Sequence, residues 1–136
     1  MKTLSHDDRV VTKKHIPFRV CMHVRGLVRT DGRVMRAATA LVEAGFAVTI
    51  LDIEDDLTRP VEEDIGGIHV KHIMKSGWLK PVRFGPFRLI RSTQKLVYIT
   101  LQLIRIPADV YHAHDDNALA PCYIAARKSS IGGVRC

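Results

Sequence analysis

The 136-residue chain has few cysteines and aromatic residues, and no long apolar run. Its three cysteines, Cys21, Cys122 and Cys136, form no C-x-x-C pair, which argues against a zinc ribbon or a disulfide scaffold and favours a reducing compartment. Aromatic residues make up only 6%, so aliphatic side chains must fill the core. No run reaches the roughly 20 apolar residues of a membrane span, and the polar segment 1–14 lacks the apolar region of a secretory signal. These absences predict a cytoplasmic protein of one domain.

Acidic residues are absent from Ile65 to Ala108, where eight Lys or Arg occur. Seven of the fourteen acids lie between Asp52 and Asp64, and the net charge is +7. A stretch of one sign attracts an anionic partner, such as a phosphorylated substrate, an anionic lipid or a nucleic acid. A solvated basic face is the other interpretation of the same stretch.

Alternating apolar segments predict a polar tail over 1–17 and an α/β domain over 18–136. The predicted strands are 18–24, 46–53, 67–73 and 109–114, and residues 134–136 resemble the beginning of a fifth. Three helices are predicted. The first lies between Asp31, its N-cap, and Gly45, its C′ residue. The second runs from 87 to 106 and the third from 117 to 128. This order implies an open parallel sheet with helices on both faces.

Three finer expectations come from individual residues. The acidic stretch 54–64 is expected to be a loop, and Lys71 suggests that the third strand lies near a sheet edge. Pro121 is expected in the first turn of its helix, because a proline further inside would break the helix.

In open α/β sheets, ligands bind beyond the carboxyl ends of the strands at the topological switch point. This rule selects the loops 25–32 and 115–117. The first loop contains Gly26 and Gly32 but neither the dinucleotide fingerprint nor the P-loop pattern. Arg29 and Arg33 near a helix N-terminus suit an anionic group; an ordinary βα turn with exposed arginines is the alternative.

His112 and His114 share one face of the fourth predicted strand. With Asp115 they approach the H-x-H-x-D-H motif of metallo-β-lactamase-like hydrolases, but Asn117 stands where the last histidine belongs. We therefore predict no metal site. Two interpretations remain: structural histidines at a strand end, or a cleft histidine that works with Asp115 in proton chemistry.

The long predicted helix carries two stripes. One is apolar, with Ile90, Val97, Leu101 and Ile104, and the other is mainly basic. Aromatic and cationic residues alternate just before the helix, which suits a membrane interface, whereas a core helix with a solvated basic side is the alternative. The candidate membrane or anion contacts are Trp78, Lys80, Arg83, Arg88 and Arg91.

Two segments resemble family-four glycosyltransferases. Residues 30–41 and 43–51 resemble the family's D-P-R-V-x-R-x-A-x-x-L-x-x-x-G-x-x-V-x-V-L, except that Gly32 stands where the family often has proline. Residues 109–115, followed by Asn-Ala-Leu at 117–119, resemble its D-V-x-H-A-H-D segment. The resemblance implies the amino-terminal, Rossmann-like half of a GT-B fold, cut at the start of strand five.

For the whole enzyme, the resemblance implies a hexosyltransferase that moves sugar from a nucleotide-sugar donor to an acceptor hydroxyl on a carbohydrate or a lipid-linked molecule. This half mainly holds the acceptor, and the missing carboxy-terminal domain binds most of the donor. We therefore expect no cofactor in this chain, no activity of the chain alone, and a location in the cytoplasm or at the inner face of the membrane. The implied cleft residues are Gly26, Arg29, Gly32 and Arg33 near the donor phosphate or acceptor, and His114 and Asp115 on the acceptor side.

Two alternatives remain open at this point. Asp52, near the end of the second strand, could hold a ribose in a nucleotide-binding oxidoreductase domain, although the glycine fingerprint is missing. The chain could also be a basic binding module without chemistry. No nucleic-acid-binding motif is present, so nucleic acid is not a predicted partner.

Overall fold

A computed structural model of the protein describes residues 16–74 and 85–132. Within these residues the chain forms five strands, three α-helices and a short 3-10 turn at Val28–Thr30. The strands are β1 (Arg19–His23), β2 (Ala47–Glu54), β3 (Glu62–Ile65), β4 (Ile68–Met74) and β5 (Val110–Ala113). The helices are α1 (Gly32–Glu43), α2 (Gly85–Arg105) and α3 (Asp116–Gly132).

The five strands form one open sheet in the order β3-β4-β2-β1-β5. Strands β4, β2, β1 and β5 are parallel, and β3 pairs antiparallel with β4 at the edge. In this register Met22 of β1 lies beside Ile50 of β2 and His112 of β5. The predicted α/β class is confirmed: the sheet is mostly parallel and Rossmann-like.

Helices cover both faces of the sheet, as the sequence predicts. Alternate residues of β1 point to opposite faces, and each face has its own core. Met22 belongs to the core beneath α1, together with Ile50 and Val70. Cys21 belongs to the core beneath α2 and α3, together with Leu51.

Helix α1 begins and ends where its local signals predict. The Asp31 carboxylate accepts hydrogen bonds from the backbone N–H groups of Arg33 and Val34, at 3.0 and 3.4 Å, so it caps the helix. At the other end Gly45 has a φ of +89°, and its N–H donates to the Val42 carbonyl at 2.9 Å. Such a left-handed residue favours glycine and closes a Schellman-type C-terminus.

The expected loop over 54–64 is wrong in its last part, because residues 62–65 form β3. Strand β4 lies near the edge, as its lysine suggests, but β3 and not β4 is the edge strand. Lys71 is tolerated inside the sheet because Glu62 lies directly across from it in β3, with Nζ 3.3 Å from the carboxylate. Gly66 and Gly67, both with positive φ, form the two-residue turn of this hairpin.

The expectation for Pro121 is wrong as well. Helix α3 begins at Asp116 and runs to Gly132, beyond the predicted end, which places Pro121 in the second turn with its side chain buried. The missing N–H removes one helical hydrogen bond without ending the helix. The tail residues 1–15 and the strand predicted at 134–136 lie outside the described residues. The sequence also predicts a loop over 76–86, of which 76–84 lie outside the described residues and 85–86 belong to α2 instead.

Candidate functional site

The two loops selected from the sequence meet at the carboxyl end of the sheet. Strands β1 and β5 are neighbours, and β2 lies on the other side of β1, so successive crossovers diverge at this point. The Arg25 N–H donates to Asp115 Oδ2 at 3.2 Å, and the His114 N–H donates to the His23 carbonyl at 3.1 Å. The junction of β1 and β5 is therefore the topological switch point where such sheets bind ligands.

An open cleft of about 560 Å³ lies at this switch point. It is formed by the loop after β1, the first turn of α1 and the end of β5. The residues that line it include Gly26, Asp31, Gly32, Arg33, Arg36 and Asp115. A Cβ added at Gly26 would meet no atom within 4 Å, so the backbone there is open to a ligand.

The charges in the cleft are balanced. Asp31 occupies the N-terminal amides of α1 and also pairs with Arg33, whose Nη2 lies 3.2 Å from Oδ2. Hydrogen bonds from the Arg33 side chain and from the backbone amides lower the pKa of Asp31 below its ordinary value. The helix N-terminus predicted to attract an anion is thus filled by a carboxylate of the chain itself. Asp115 and Arg36 complete a lining with two carboxylates and two guanidinium groups.

The side chain of Arg29, which the sequence places in this loop, pairs with β3 and does not line the cleft. Its guanidinium forms an ion pair with Glu63 of β3, and its Nε donates to Glu63 Oε1 at 3.0 Å. Of the four predicted phosphate or acceptor contacts, Gly26, Gly32 and Arg33 line the cleft and Arg29 does not. The ion pair joins residues 34 positions apart, which no local spacing could reveal.

The histidine pair lies beside the cleft. The rings of His112 and His114 stack, with centroids 5.1 Å apart and planes inclined by 16°. Asp115 lines the cleft, whereas His114 is half-buried and does not. Nε2 of His114 is buried without a hydrogen-bond partner in the described part of the chain. Within residues 16–74 and 85–132, no three His, Cys, Asp or Glu side chains are grouped to hold a metal ion.

The structure also contains a buried polar chain that the sequence did not reveal. Asp52 of β2 is fully buried, and its Oδ2 accepts from the Val28 N–H at 3.0 Å. Its Oδ1 lies 2.5 Å from Nδ1 of His72 in β4. Nε2 of His72 lies 2.9 Å from Glu63 Oε1, the atom that also accepts from Arg29. The sequence feature that could have indicated this buried chain is the presence of two polar residues, Asp52 and His72, inside otherwise apolar strands.

Burial and hydrogen bonding act in opposite directions on the two acids of this chain. Burial raises the pKa of Asp52 above its ordinary value, although hydrogen bonds from the Val28 amide and His72 oppose the shift. For Glu63 burial also favours the neutral form, but hydrogen bonds from Arg29 and His72 outweigh it and lower the pKa. Because Asp52 is inaccessible, it is not placed to contact a ribose.

A second surface lies on α2 and faces solvent. We call it the α2 outer face, and its side chains are between 42% and 74% exposed. Its members are Leu89, Ile90, Val97, Tyr98 and Leu101. The interpretation of the predicted apolar stripe as a core-facing stripe is therefore wrong for Ile90, Val97 and Leu101, whereas Ile104 packs against the core. The helix instead packs through Leu103, and Ile106, directly after its last residue, is also buried.

The predicted membrane contacts fall only partly within the described residues. Trp78, Lys80 and Arg83 lie outside them, and Arg88 lies at the start of α2. Arg91 is half-buried, and its Nε has no hydrogen-bond partner among the residues that the structure covers. No helix in the described ranges combines the length and apolar content of a bilayer-spanning segment.

The fold and the cleft define the chain as a Rossmann-like α/β protein with a polar switch-point cleft. Comparison with known proteins found no match to the chain among family models, curated protein sequences or solved structures.

Proposed function

We propose that the chain is the acceptor-binding, amino-terminal half of a GT-B glycosyltransferase, which transfers a sugar from a nucleotide-sugar to an acceptor hydroxyl. The observation that carries the proposal is the meeting of the two glycosyltransferase-like segments at one cleft. Residues 30–41 supply the cap and the body of α1, and residues 109–115 supply β5 and the cleft carboxylate Asp115. Segments far apart in sequence thus converge where an α/β sheet binds ligands.

The balanced charges of the cleft favour a neutral ligand with many hydroxyl groups. Carboxylates such as Asp115 accept hydrogen bonds from hydroxyls, and guanidinium groups such as those of Arg33 and Arg36 donate to them. A phosphate would have to approach the carboxylates of Asp31 and Asp115 as well. These features support a carbohydrate acceptor in this half of the enzyme more than the diphosphate of a donor.

In the proposed reaction, Asp115 accepts a hydrogen bond from the acceptor hydroxyl and helps to orient it. The leaving diphosphate requires cationic groups and amide dipoles, which we assign mainly to a second domain. We therefore expect the 136-residue chain alone to bind nucleotide-sugars weakly and to transfer no sugar. Turnover of a nucleotide-sugar by the purified chain would contradict that expectation.

The binding proposal is testable by ¹H–¹⁵N NMR titration with a panel of mono- and disaccharides, nucleotide-sugars and NAD. We expect carbohydrates to shift the amide signals of Gly26, Gly32 and Asp115. Asp115→Asn and Gly26→Val should weaken this binding, since the first removes a charged acceptor and the second fills open space. Asp56→Asn, at an exposed loop residue outside the cleft lining, is the matched control.

Other outcomes of the titration would contradict the proposal. Binding of NAD alone, with shifts in the same cleft, would favour the oxidoreductase alternative, which the burial of Asp52 makes the weaker one. The absence of carbohydrate-dependent shifts, even at high ligand concentration, would leave the cleft without its proposed ligand and would reject the acceptor-binding role.

We further propose that the α2 outer face contacts the anionic, cytoplasmic surface of a membrane, where a lipid-linked acceptor would be found. Two observations favour this partner. The face exposes five large side chains on one helix, and this helix lies in the stretch with eight cations and no acid. Apolar side chains enter the interface, and each nearby cation contributes about 1 kcal/mol at an anionic surface.

Vesicle sedimentation tests this contact. The chain should bind anionic vesicles at low salt and dissociate at high salt, because screening limits the attraction to about 10 Å at 0.1 M. Neutral vesicles should bind it weakly. The double variant Val97→Ser, Leu101→Ser and the triple variant Arg83→Glu, Arg88→Glu, Arg91→Glu should lose binding, whereas Leu57→Ser, at an exposed loop leucine, should retain it. Equal binding to neutral vesicles, or self-association through the same face, would reject the anionic surface as the partner.

A further inference from the structure

The buried polar chain forms a circuit that begins and ends on one turn. The Val28 N–H contacts Asp52, Asp52 contacts His72, and His72 contacts Glu63. Glu63 then pairs with Arg29, the residue next to Val28. The 3-10 turn Val28–Thr30 is therefore held from two sides by residues of β2 and β3, and His72 of β4 is the link between them.

This turn forms part of the cleft wall. Thr30 of the turn lines the cleft, together with Leu27 before the turn and Asp31 after it. The turn's own backbone hydrogen bonds are two: the Thr30 N–H donates to the Leu27 carbonyl at 3.2 Å, and the Asp31 N–H donates to the Val28 carbonyl at 3.1 Å. These bonds shape the turn locally. The circuit ties the turn to three strands through hydrogen bonds, in addition to the packing of the buried Val28 side chain in the core beneath α1.

The hydrogen bonds of the circuit require one proton more than a neutral His72 between two ionised carboxylates would have. Both partners of His72 are carboxylates, and ionised carboxylates only accept hydrogen bonds, whereas a neutral imidazole has a single N–H. Contacts of 2.5 and 2.9 Å on the two ring nitrogens are both hydrogen bonds only if the ring carries two N–H groups or one of the two carboxylates carries a proton. The lowered pKa of Glu63 makes Asp52 the better candidate of the two. Burial, which raises the pKa of Asp52, favours retention of this proton.

Removal of that proton would place a nitrogen lone pair against a carboxylate oxygen in a site that excludes water. Such an unsatisfied buried contact is costly, because the low local dielectric strengthens repulsion as well as attraction. Two further ionisable groups lie near the circuit. Glu54 has separate contacts, from the Asp55 and Asp56 amides at 2.8 and 3.0 Å and from Arg59 at 3.7 Å. His23 is hydrogen-bonded to the Leu51 carbonyl at 2.8 Å.

We propose that His72 is the positioning residue of the cleft. Its hydrogen bonds to Asp52 and Glu63, which require the shared proton, fix the turn Val28–Thr30, and loss of that proton releases the turn. The proposal goes beyond sugar transfer, since it concerns the shape of the cleft wall whichever ligand the cleft takes.

The test follows the Val28 amide by NMR and hydrogen exchange, without a ligand, between about pH 6 and 10. In the wild-type chain we expect the Val28 amide shift to change with a midpoint at which the shared proton leaves the circuit. Above that midpoint, Val28 exchange should rise by about tenfold more than the intrinsic effect of pH, because local opening exposes the amide. A Val28 amide whose shift and protection stay unchanged across this pH range would overturn the proposal.

The variant Glu63→Gln separates the proton from the packing. A glutamine can accept from Arg29 through its oxygen and donate to Nε2 of His72 through its nitrogen, so a neutral His72 can still donate to Asp52. We expect this variant to keep Val28 protected at alkaline pH. His72→Gln, with one donor group and one acceptor group that cannot span both carboxylates, should leave Val28 exchanging rapidly at every pH.

The control is His69→Gln, at a partly exposed histidine of the same strand that lies near Glu62 and Asp64, and it should behave as the wild type. If Glu63→Gln loses Val28 protection at the same pH as the wild-type chain, the proton is not the cause and the proposal is wrong. If His72→Gln does not fold, the titrations of the wild-type chain and of Glu63→Gln still show whether the shared proton holds the turn. Because no ligand is used, failure here is distinct from failure of the acceptor-binding proposal.

Discussion

Helices α1 and α2 both carry an apolar stripe that the sequence periodicity predicts to face the core. The sheet covers the stripe of α1 but not that of α2. On α1, Val34 and Ala38 are fully buried, and Leu41 packs against the same core. On α2, Val97 and Leu101 of the corresponding stripe are 51% and 47% exposed. The periodic pattern therefore identifies an apolar surface on each helix, and packing decides which surface is buried.

The difference in burial between the two stripes is caused by the residues on the other sides of each helix. The side of α1 opposite the stripe carries Arg33, Arg36 and Glu43, all exposed, so only one orientation buries its apolar residues. Helix α2 is apolar around more of its circumference and buries Leu103 instead. A helix with more apolar positions than one face can bury leaves a second face for solvent, a membrane or a partner.

The largest expected effect comes from the same truncation on both stripes. Val34→Ala on α1 should lower the free energy of unfolding by about 2 kcal/mol, because it removes buried methyl groups and leaves a cavity. Val97→Ala on α2 should change it by less than about 0.5 kcal/mol, as is usual for surface positions. Urea denaturation followed by circular dichroism measures both.

Leu103→Ala and Leu101→Ala repeat this comparison within α2. Leu103 is fully buried, and its truncation should cost about 2 to 5 kcal/mol, whereas truncation of the half-exposed Leu101 should cost little. Equal losses for the two leucines would mean that the α2 outer face is covered in solution, which would contradict the comparison between the two helices.

The next effect concerns the start of the helix whose stripe is buried. Asp31→Ala removes the side chain that accepts from the Arg33 and Val34 amides and should destabilise the chain by about 1 kcal/mol. Asp31→Asn keeps a capping oxygen and should lose much less, even though it removes the exposed ion pair with Arg33. If both variants lose the same amount, the ion pair and not the cap is responsible.

The sequence predicts α1 and the cleft well because their determinants are local. Asp31 and Gly45 mark the helix ends, and Asp115 directly follows a strand, so its place at the carboxyl edge follows from the chain order. Strand β3 and the Arg29–Glu63 pair were missed because they depend on partners distant in sequence. An acid-rich segment has low strand propensity, and β3 is stabilised by pairing with β4.

The smallest expected effect is a dependence of stability on pH. It compares a buried histidine with an exposed one, as the earlier predictions compare buried and exposed apolar residues. His23 is 2% exposed and, by strand alternation, lies on the face that packs against α2 and α3. Burial lowers its pKa below the ordinary 6.5. The folded state then binds fewer protons than the unfolded chain, so stability is lost as pH falls from 6.5 through the lower pKa of the folded state.

Thermal melts between about pH 7 and 5 measure this dependence in a window above the ordinary pKa values of the carboxylates. We expect Tm of the wild-type chain to fall on acidification, and His23→Gln to show a shallower fall even if its Tm at neutral pH is lower. His112→Gln, at an exposed histidine of the neighbouring strand, should keep the wild-type slope. A steeper fall in His23→Gln, or the loss of the slope in His112→Gln, would mean that the stacked histidines beside the cleft, and not the buried one, set the response to acid.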